Sequence, residues 1–264
     1  MSTRPWSTPC APSSRYSPTA TGRCPAPCIT PTDEEVIVTA PHTPPALEVA
    51  GSGEELLLSP DRLIVAGYTA RDQASVAHHI AELAAIGVPP PTSVPAFYDL
   101  DPRLLTSNAV VEVAGPSTSG EVEPVIIRHG GRHFLAVGSD HTDRELERTD
   151  IAASKAACPK PVGGTVVEIG PEVSALDWDR LAAQSAVDGR AYQEGSVAAL
   201  RHPAELLERM NAVLGDVTGD LVLFCGTFPL LTGEFVHGSS WRLSLSLPDG
   251  TTLTHAYETK LRSM

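Results

Sequence analysis

The chain has 264 residues, 42% of them hydrophobic, enough to bury one large core. Its 19 Lys and Arg stand against 32 Asp and Glu, a formal net charge of -13; this argues against nucleic acid or an anionic membrane as partner, and any anionic ligand must find local positive charge. No apolar run reaches the roughly 20 residues of a membrane span.

In chain order, the first 32 residues carry Arg4, Arg15 and Arg23, no acid, and many Pro, Ser and Thr. Such a stretch buries too little apolar surface to fold, and no apolar segment of about 7–15 residues follows the arginines as a secretory signal requires. A disordered tail rich in Pro, Ser, Thr and Arg is expected over residues 1–45, with one ordered domain over 46–264. Cys10, Cys24 and Cys28 lie in the tail, and no further zinc ligands stand near Cys24 and Cys28. Cys158 and Cys225 are expected to be free thiols in a reducing cytoplasm.

Residues 46–56 suggest a first strand and turn. A helix is predicted over 72–86: Val76, Ile80 and Leu83 form an apolar stripe, and Gly87 with Pro89-Pro90-Pro91 stops it. His79 and Glu82 are neighbours at i and i+3 on that helix. β-like runs follow at 109–113, 122–127 and 132–138, the last two joined as a hairpin by Gly130-Gly131. His129 and His133 flank that turn and should face solvent. Residues 142–157 are polar and broken, a surface helix or a long functional loop. A strand is predicted over 165–169 and a helix over 203–214, with Leu206, Leu207 and Met210 inward. A turn and buried strand follow over 219–225, then a hairpin of 240–247 and 251–257 with Asp249-Gly250 at its tip. Many short strands with few helices predict a β-rich α+β fold.

The chemistry is carried first by Glu121-Val122-Glu123. The period of two in a strand aims both carboxylates at one face, which suits a hard divalent cation. Farther on, Asp140 at a strand end supplies a third acid, followed by His141, Asp143 and Arg144; His141 and Asp143 are expected on an exposed loop. Ser154-Lys155 precedes the turn Cys158-Pro159-Lys160-Pro161, and the run from Gly219 to Pro229 ends a buried strand in Cys225-Gly226-Thr227.

In this order these segments resemble the fumarylacetoacetate hydrolase superfamily, from about Leu63 to Tyr257, and within it the DUF2848 group. The resemblance implies a mixed β-sandwich roll, a homodimer, and a site holding Mg2+, Mn2+ or Ca2+ on Glu121, Glu123 and Asp140. It implies that Arg144 and Thr227 contact substrate, that Lys155 supplies a cation for an oxyanion or carboxylate, and that His79, oriented by Glu82, activates water. His78 competes for that last role, and a second alignment through Arg71-Asp72-Gln73 puts glutamine there instead. Ser139 stands where an Asn is usual, and Pro124 follows the second glutamate where an aliphatic residue is usual. The implied activity is metal-dependent hydrolysis of a C–C bond in a small acidic oxo compound, a 2-oxo acid or 1,3-dicarbonyl. The alternatives are a decarboxylase or isomerase/hydratase on the same site, or a non-catalytic binder.

Overall fold

The computed structural model describes residues 43–85 and 89–263, apart from the side chains of His79, Glu82 and Leu83. The expected tail therefore lies, up to residue 42, outside the described residues. By Pro45 the chain is built into the fold, because its carbonyl accepts a hydrogen bond from Leu58 N at 2.8 Å.

The elements in chain order are β1 (Ala46–Val49), β2 (Glu55–Leu57), β3 (Arg62–Gly67), α1 (Gln73–Ala85), β4 (Ala96–Leu100), β5 (Leu105–Thr106), β6 (Val110–Val113) and β7 (Thr118–Ser119). The middle of the chain adds β8 (Val122–His129), β9 (Arg132–Ser139), β10 (Thr142–Asp143), α2 (Arg144–Glu147), α3 (Ile151–Ala156), β11 (Lys160–Pro161) and β12 (Thr165–Gly170). The last part is β13 (Ala182–Val187), β14 (Arg190–Ser196), α4 (Pro203–Leu214), β15 (Leu221–Phe224), β16 (Ser240–Ser246) and β17 (Thr252–Leu261).

Eight strands form one sheet in the order β2-β1-β12-β9-β8-β15-β3-β4, and five form a second in the order β14-β13-β16-β17-β6. The central strands of the larger sheet are apolar on both faces, as strands covered on both sides must be. Their period of two divides them between two cores. Ile64, Ile126, Leu135, Val137, Leu221 and Leu223 join the core that also takes Trp241, Leu243 and Leu245 of the second sheet. The residues between them, Val65, Val125, Ile127, Phe134, Val222 and Phe224, fill a separate core with Leu47 and Val49. Glu121 and Glu123 share the parity of Val125, so they continue the face of this second core to the start of β8, Glu123 within the strand and Glu121 just before it.

The hairpin between β8 and β9 turns at Gly130-Gly131, with φ of 57° and 77°, the left-handed pair that a two-residue hairpin turn requires. It leads from Val122 opposite Ser139 to His129 opposite Arg132. His129 and His133 are half-buried rather than solvent-facing; His129 Nδ1 lies 2.6 Å from Asp220 Oδ2, a residue of the neighbouring turn.

The helix predicted over 203–214 is found with those bounds, with His202 at its N-cap and Pro203 at its start. The polar stretch after β10 becomes two short helices because two aspartates cap them: Asp143 accepts from Glu145 N and Leu146 N, and Asp150 from Ala153 N. It is not a plain surface segment, since Arg144, Ser154 and Lys155 are buried. Strands β13 and β14 were not expected from their Ala, Gln and Ser content. β13 pairs along its length with β16, whose alternate Trp241, Leu243 and Leu245 are buried, and with β14 on its other side.

Candidate functional site

Three strand ends of the larger sheet meet at one edge, because β15 runs antiparallel to β8 and parallel to β3. The start of β8 therefore lies beside the ends of β3 and β15, and the end of β9 pairs with it on the other side. A cavity of about 640 Å3 opens there, walled by Glu121, Glu123, Arg144, Lys155 and Thr227, with Tyr68 and Tyr98 among its aromatic residues. Tyr68 holds a left-handed φ of 57°, uncommon for a non-glycine residue and of the kind that clusters at ligand sites.

Glu123 is 2% exposed, and its Oε2 accepts a hydrogen bond from Gly226 N at 2.7 Å. Burial, reinforced by the charge of Asp140, raises its pKa well above the usual carboxylate range. Among the described residues it has no ion pair. Glu121 sits at the rim, 3.2 Å from a guanidinium nitrogen of Arg144. Asp140 is tied to the same strand start, since its N–H donates to Glu121 O at 3.0 Å.

Asp140 is fully buried between two lysines: Oδ2 pairs with Lys155 Nζ, and Oδ1 lies 3.3 Å from Lys160 Nζ. Burial by itself would raise its pKa, but the charges of Lys155 and Lys160 outweigh that and bring it down to about 2. Lys155 likewise stays charged: burial works against its ammonium, and Asp140 and Glu121 more than restore it. Its Nζ lies 5.5 Å from the centre of the Tyr98 ring. Lys160, which the sequence placed only in a turn, is fully buried and donates to His141 O at 2.7 Å, to Cys158 O at 3.1 Å and to Lys155 O. It closes the path from β10 to β11 around Asp140.

Arg144 lines the cavity, with donors committed to protein partners. Nε donates to Ser119 Oγ at 2.6 Å, one terminal nitrogen lies 2.8 Å from Glu147 Oε2, and Phe235 covers one face at 3.9 Å. The Thr227 hydroxyl is turned inward: it donates to Val122 O at 3.0 Å and accepts from Gln193 Nε2 at 2.8 Å. In this arrangement it anchors the turn after β15 to the start of β8.

His141 is not on an exposed loop. It is fully buried, with Nδ1 3.0 Å from Tyr257 Oη and Nε2 2.9 Å from Thr118 Oγ1. Burial and the charge of Lys160 lower its pKa to about 3, so it is neutral at physiological pH. Asp143 is the α2 cap. Ser139, in the place of the usual Asn, is also buried and lies 2.8 Å from Tyr257 Oη. On α1, His78 lines the cavity, whereas the side chains of His79 and Glu82 lie outside those described. Gln73 is spent at the helix start, donating to Ala70 O and Arg71 O.

The DUF2848 family, described as a protein of unknown function, matches residues 66–257. The chain belongs to this family. No curated protein matches it. This DUF2848 chain shares its fold with three solved structures. Fumarylpyruvate hydrolase from Pseudomonas aeruginosa in complex with Mn2+ and pyruvate aligns with a TM-score of 0.56 at 19% identity, covering 85% of this chain and 99% of that one. 5-Carboxymethyl-2-hydroxymuconate delta-isomerase from Mycobacterium smegmatis aligns at 0.52 and 16%, covering 81% and 87%. 2-Keto-3-deoxyarabinonate dehydratase aligns at 0.53 and 15%, covering 79% and 76%. The expected β-rich α+β sandwich roll is thus the observed fold.

Among the described residues no three Asp, Glu, His or Cys side chains stand together at metal-ligand spacing; in this DUF2848 chain Asp140 and Glu121 are turned to Lys155 and Arg144. The donor set nevertheless fits a hard divalent cation. All three acids are oxygen donors, and Glu123 is a buried carboxylate that lacks a paired cation and is crowded by two other acids.

Gly226 places the backbone N–H that fixes Glu123. Its φ is 103°, and a Cβ there would lie 1.8 Å from Thr69 Oγ1. Gly226→Ala should destabilise the protein by about 1–3 kcal/mol, read by urea unfolding, and a wild-type midpoint would show that the turn relaxes freely.

Proposed function

We propose that this protein is a divalent-metal-dependent enzyme of small 2-oxo acids or 1,3-dicarbonyl compounds, and that it hydrolyses a C–C bond in them. The observation that carries this is the meeting of Glu121, Glu123, Arg144 and Lys155 at one cavity, with Asp140 bound to Lys155. Held by Glu121, Glu123 and Asp140, Mg2+, or Mn2+ or Ca2+ in its place, would supply the charge that polarises a carbonyl and stabilises an enolate.

The chain's own residues do the rest. Lys155, charged and on the wall, donates to a substrate carboxylate or a developing oxyanion. Arg144 holds Glu121 in place and lends positive charge at the rim. A histidine of α1 takes the proton of the attacking water. His79 with Glu82 is the pair that the resemblance implies, and the position of His78 on the wall supports His78 in that role. Thr227, implied as a substrate contact, contributes by holding the Gly226 turn.

A second class, isomerase, hydratase or decarboxylase, uses the same enolate without attacking water; the isomerase and dehydratase of like fold support keeping it. We place the enzyme in the cytoplasm, independent of nucleic acid and membrane, on its charge of -13 and its buried free Cys158 and Cys225, and the homodimer is what the resemblance implies; among the described residues no helix is long and apolar enough to cross a membrane.

Calorimetry with Mn2+ or Mg2+ and oxalate, an enolate mimic, tests the site. Metal-dependent oxalate binding is expected in wild type and lost in the Glu121→Ala, Glu123→Ala double variant. No binding in wild type would leave only a shared fold, and binding without turnover of any 2-oxo acid would make the protein a binder. Turnover that survives both His78→Ala and His79→Ala would move the reaction to the second class.

A further inference from the structure

Resting on that proposed site, we infer that the ligand is a monocarboxylic 2-oxo acid with an apolar, ring-sized tail, and not a dicarboxylic acid. Around Glu121, Glu123, Arg144, Glu147 and Lys155 the lining is largely aromatic and aliphatic, with Tyr68, Val76, Tyr98, Ile151, Phe228 and Phe235; Tyr98 faces Lys155 and Phe235 covers Arg144. At about 640 Å3 it lies within the roughly 300–1,000 Å3 of sites that enclose ligands well beyond pyruvate in size.

The charges support a single carboxylate. Arg144 and Lys155 are the only Lys or Arg among the described lining residues, and both are already paired, Arg144 with Glu121 and Glu147 and Lys155 with Asp140. Lys160, behind them, also turns to Asp140. The group thus carries one more acid than base, which a divalent ion converts to a single net positive charge. One carboxylate neutralises that. A second would find no further Lys or Arg among the described lining residues, only Glu147, the neutral polar groups of Thr69, Ser75, His78 and Thr227, and aromatic and aliphatic side chains, and would be desolvated without a counter-charge.

The rim carries the same signature. Phe235 is 45% exposed while its ring covers Arg144, and Leu231 and Val236 of the same loop are 53% and 39% exposed. Phe235 thus carries apolar surface from beside Arg144 out to the solvent, where a tail leaving the site would run along it.

Calorimetry on the Mn2+-loaded full chain would compare oxalate, pyruvate, phenylpyruvate and 2-oxoadipate. Phenylpyruvate is expected to bind at least about tenfold more tightly than pyruvate, the effect of burying one aromatic ring, and 2-oxoadipate no more tightly than pyruvate. Phe235→Ala should shrink the ratio of phenylpyruvate to pyruvate affinity. Tighter binding of 2-oxoadipate than of phenylpyruvate, with oxalate still bound, would overturn the apolar tail and leave the metal site standing. Absence of oxalate binding would overturn the site, and this inference with it.

Discussion

Asp140→Ala should lower the unfolding free energy of the metal-free protein by about 3–5 kcal/mol, the usual effect of removing one partner from a buried ion pair. Asp140 is fully buried, and its two oxygens are the counter-charge for Lys155 and Lys160, which are themselves buried. Alanine would leave two ammonium groups in low dielectric with one carboxylate fewer. Urea unfolding would measure the loss, and a double variant with Lys155→Met should lose less than the two single variants added together. Additive losses would show that the two side chains do not act as a pair. The pH dependence has a definite sign. Asp140 has a folded pKa of about 2 against an unfolded value of about 3.9. Its contribution is therefore complete above the unfolded pKa and disappears as pH falls towards 2. Asp140→Ala should flatten that acid limb.

Glu123→Gln should do the reverse to stability while removing function. The folded protein disfavours the Glu123 carboxylate, because burial and the charge of Asp140 both raise its pKa. For an acid with a raised folded pKa, stability is greatest below the unfolded pKa and declines as pH rises through the folded one. Glutamine keeps the shape and the acceptor for Gly226 N without the charge, so the metal-free variant should melt no lower than wild type at neutral pH. Divalent-metal affinity should fall by more than about 100-fold, beyond the roughly 10–100-fold of losing an outer partner of a metal site. Metal binding to wild type should also release a proton, seen as a heat that depends on the buffer. A Glu123→Gln protein that binds Mn2+ as wild type does would remove Glu123 from the ligand set.

What was legible in the sequence was whatever repeats over a few residues. The alternation in Glu121-Val122-Glu123 put both acids on one face, and both line the cavity. The spacing of Leu206, Leu207 and Met210 marked α4 with the bounds it has. Gly130-Gly131 marked the hairpin, since only a residue without Cβ takes both left-handed positions easily. The order of acids, lysine and Gly-Thr turn pointed to the superfamily before any contact was known.

What only the tertiary structure decided depends on partners far apart in the chain. Lys160 looks like a turn residue until β11 carries it beneath Asp140, and His141 looks exposed until Tyr257, from the other sheet, closes over it. The ion pairs of Arg144 with Glu121 and Glu147 likewise follow from the fold and from no local pattern. Local periodicity states which face a side chain takes, because backbone geometry sets it. Which charge then meets it is set by strand pairing across a hundred residues, and that is a property of the fold rather than of any segment.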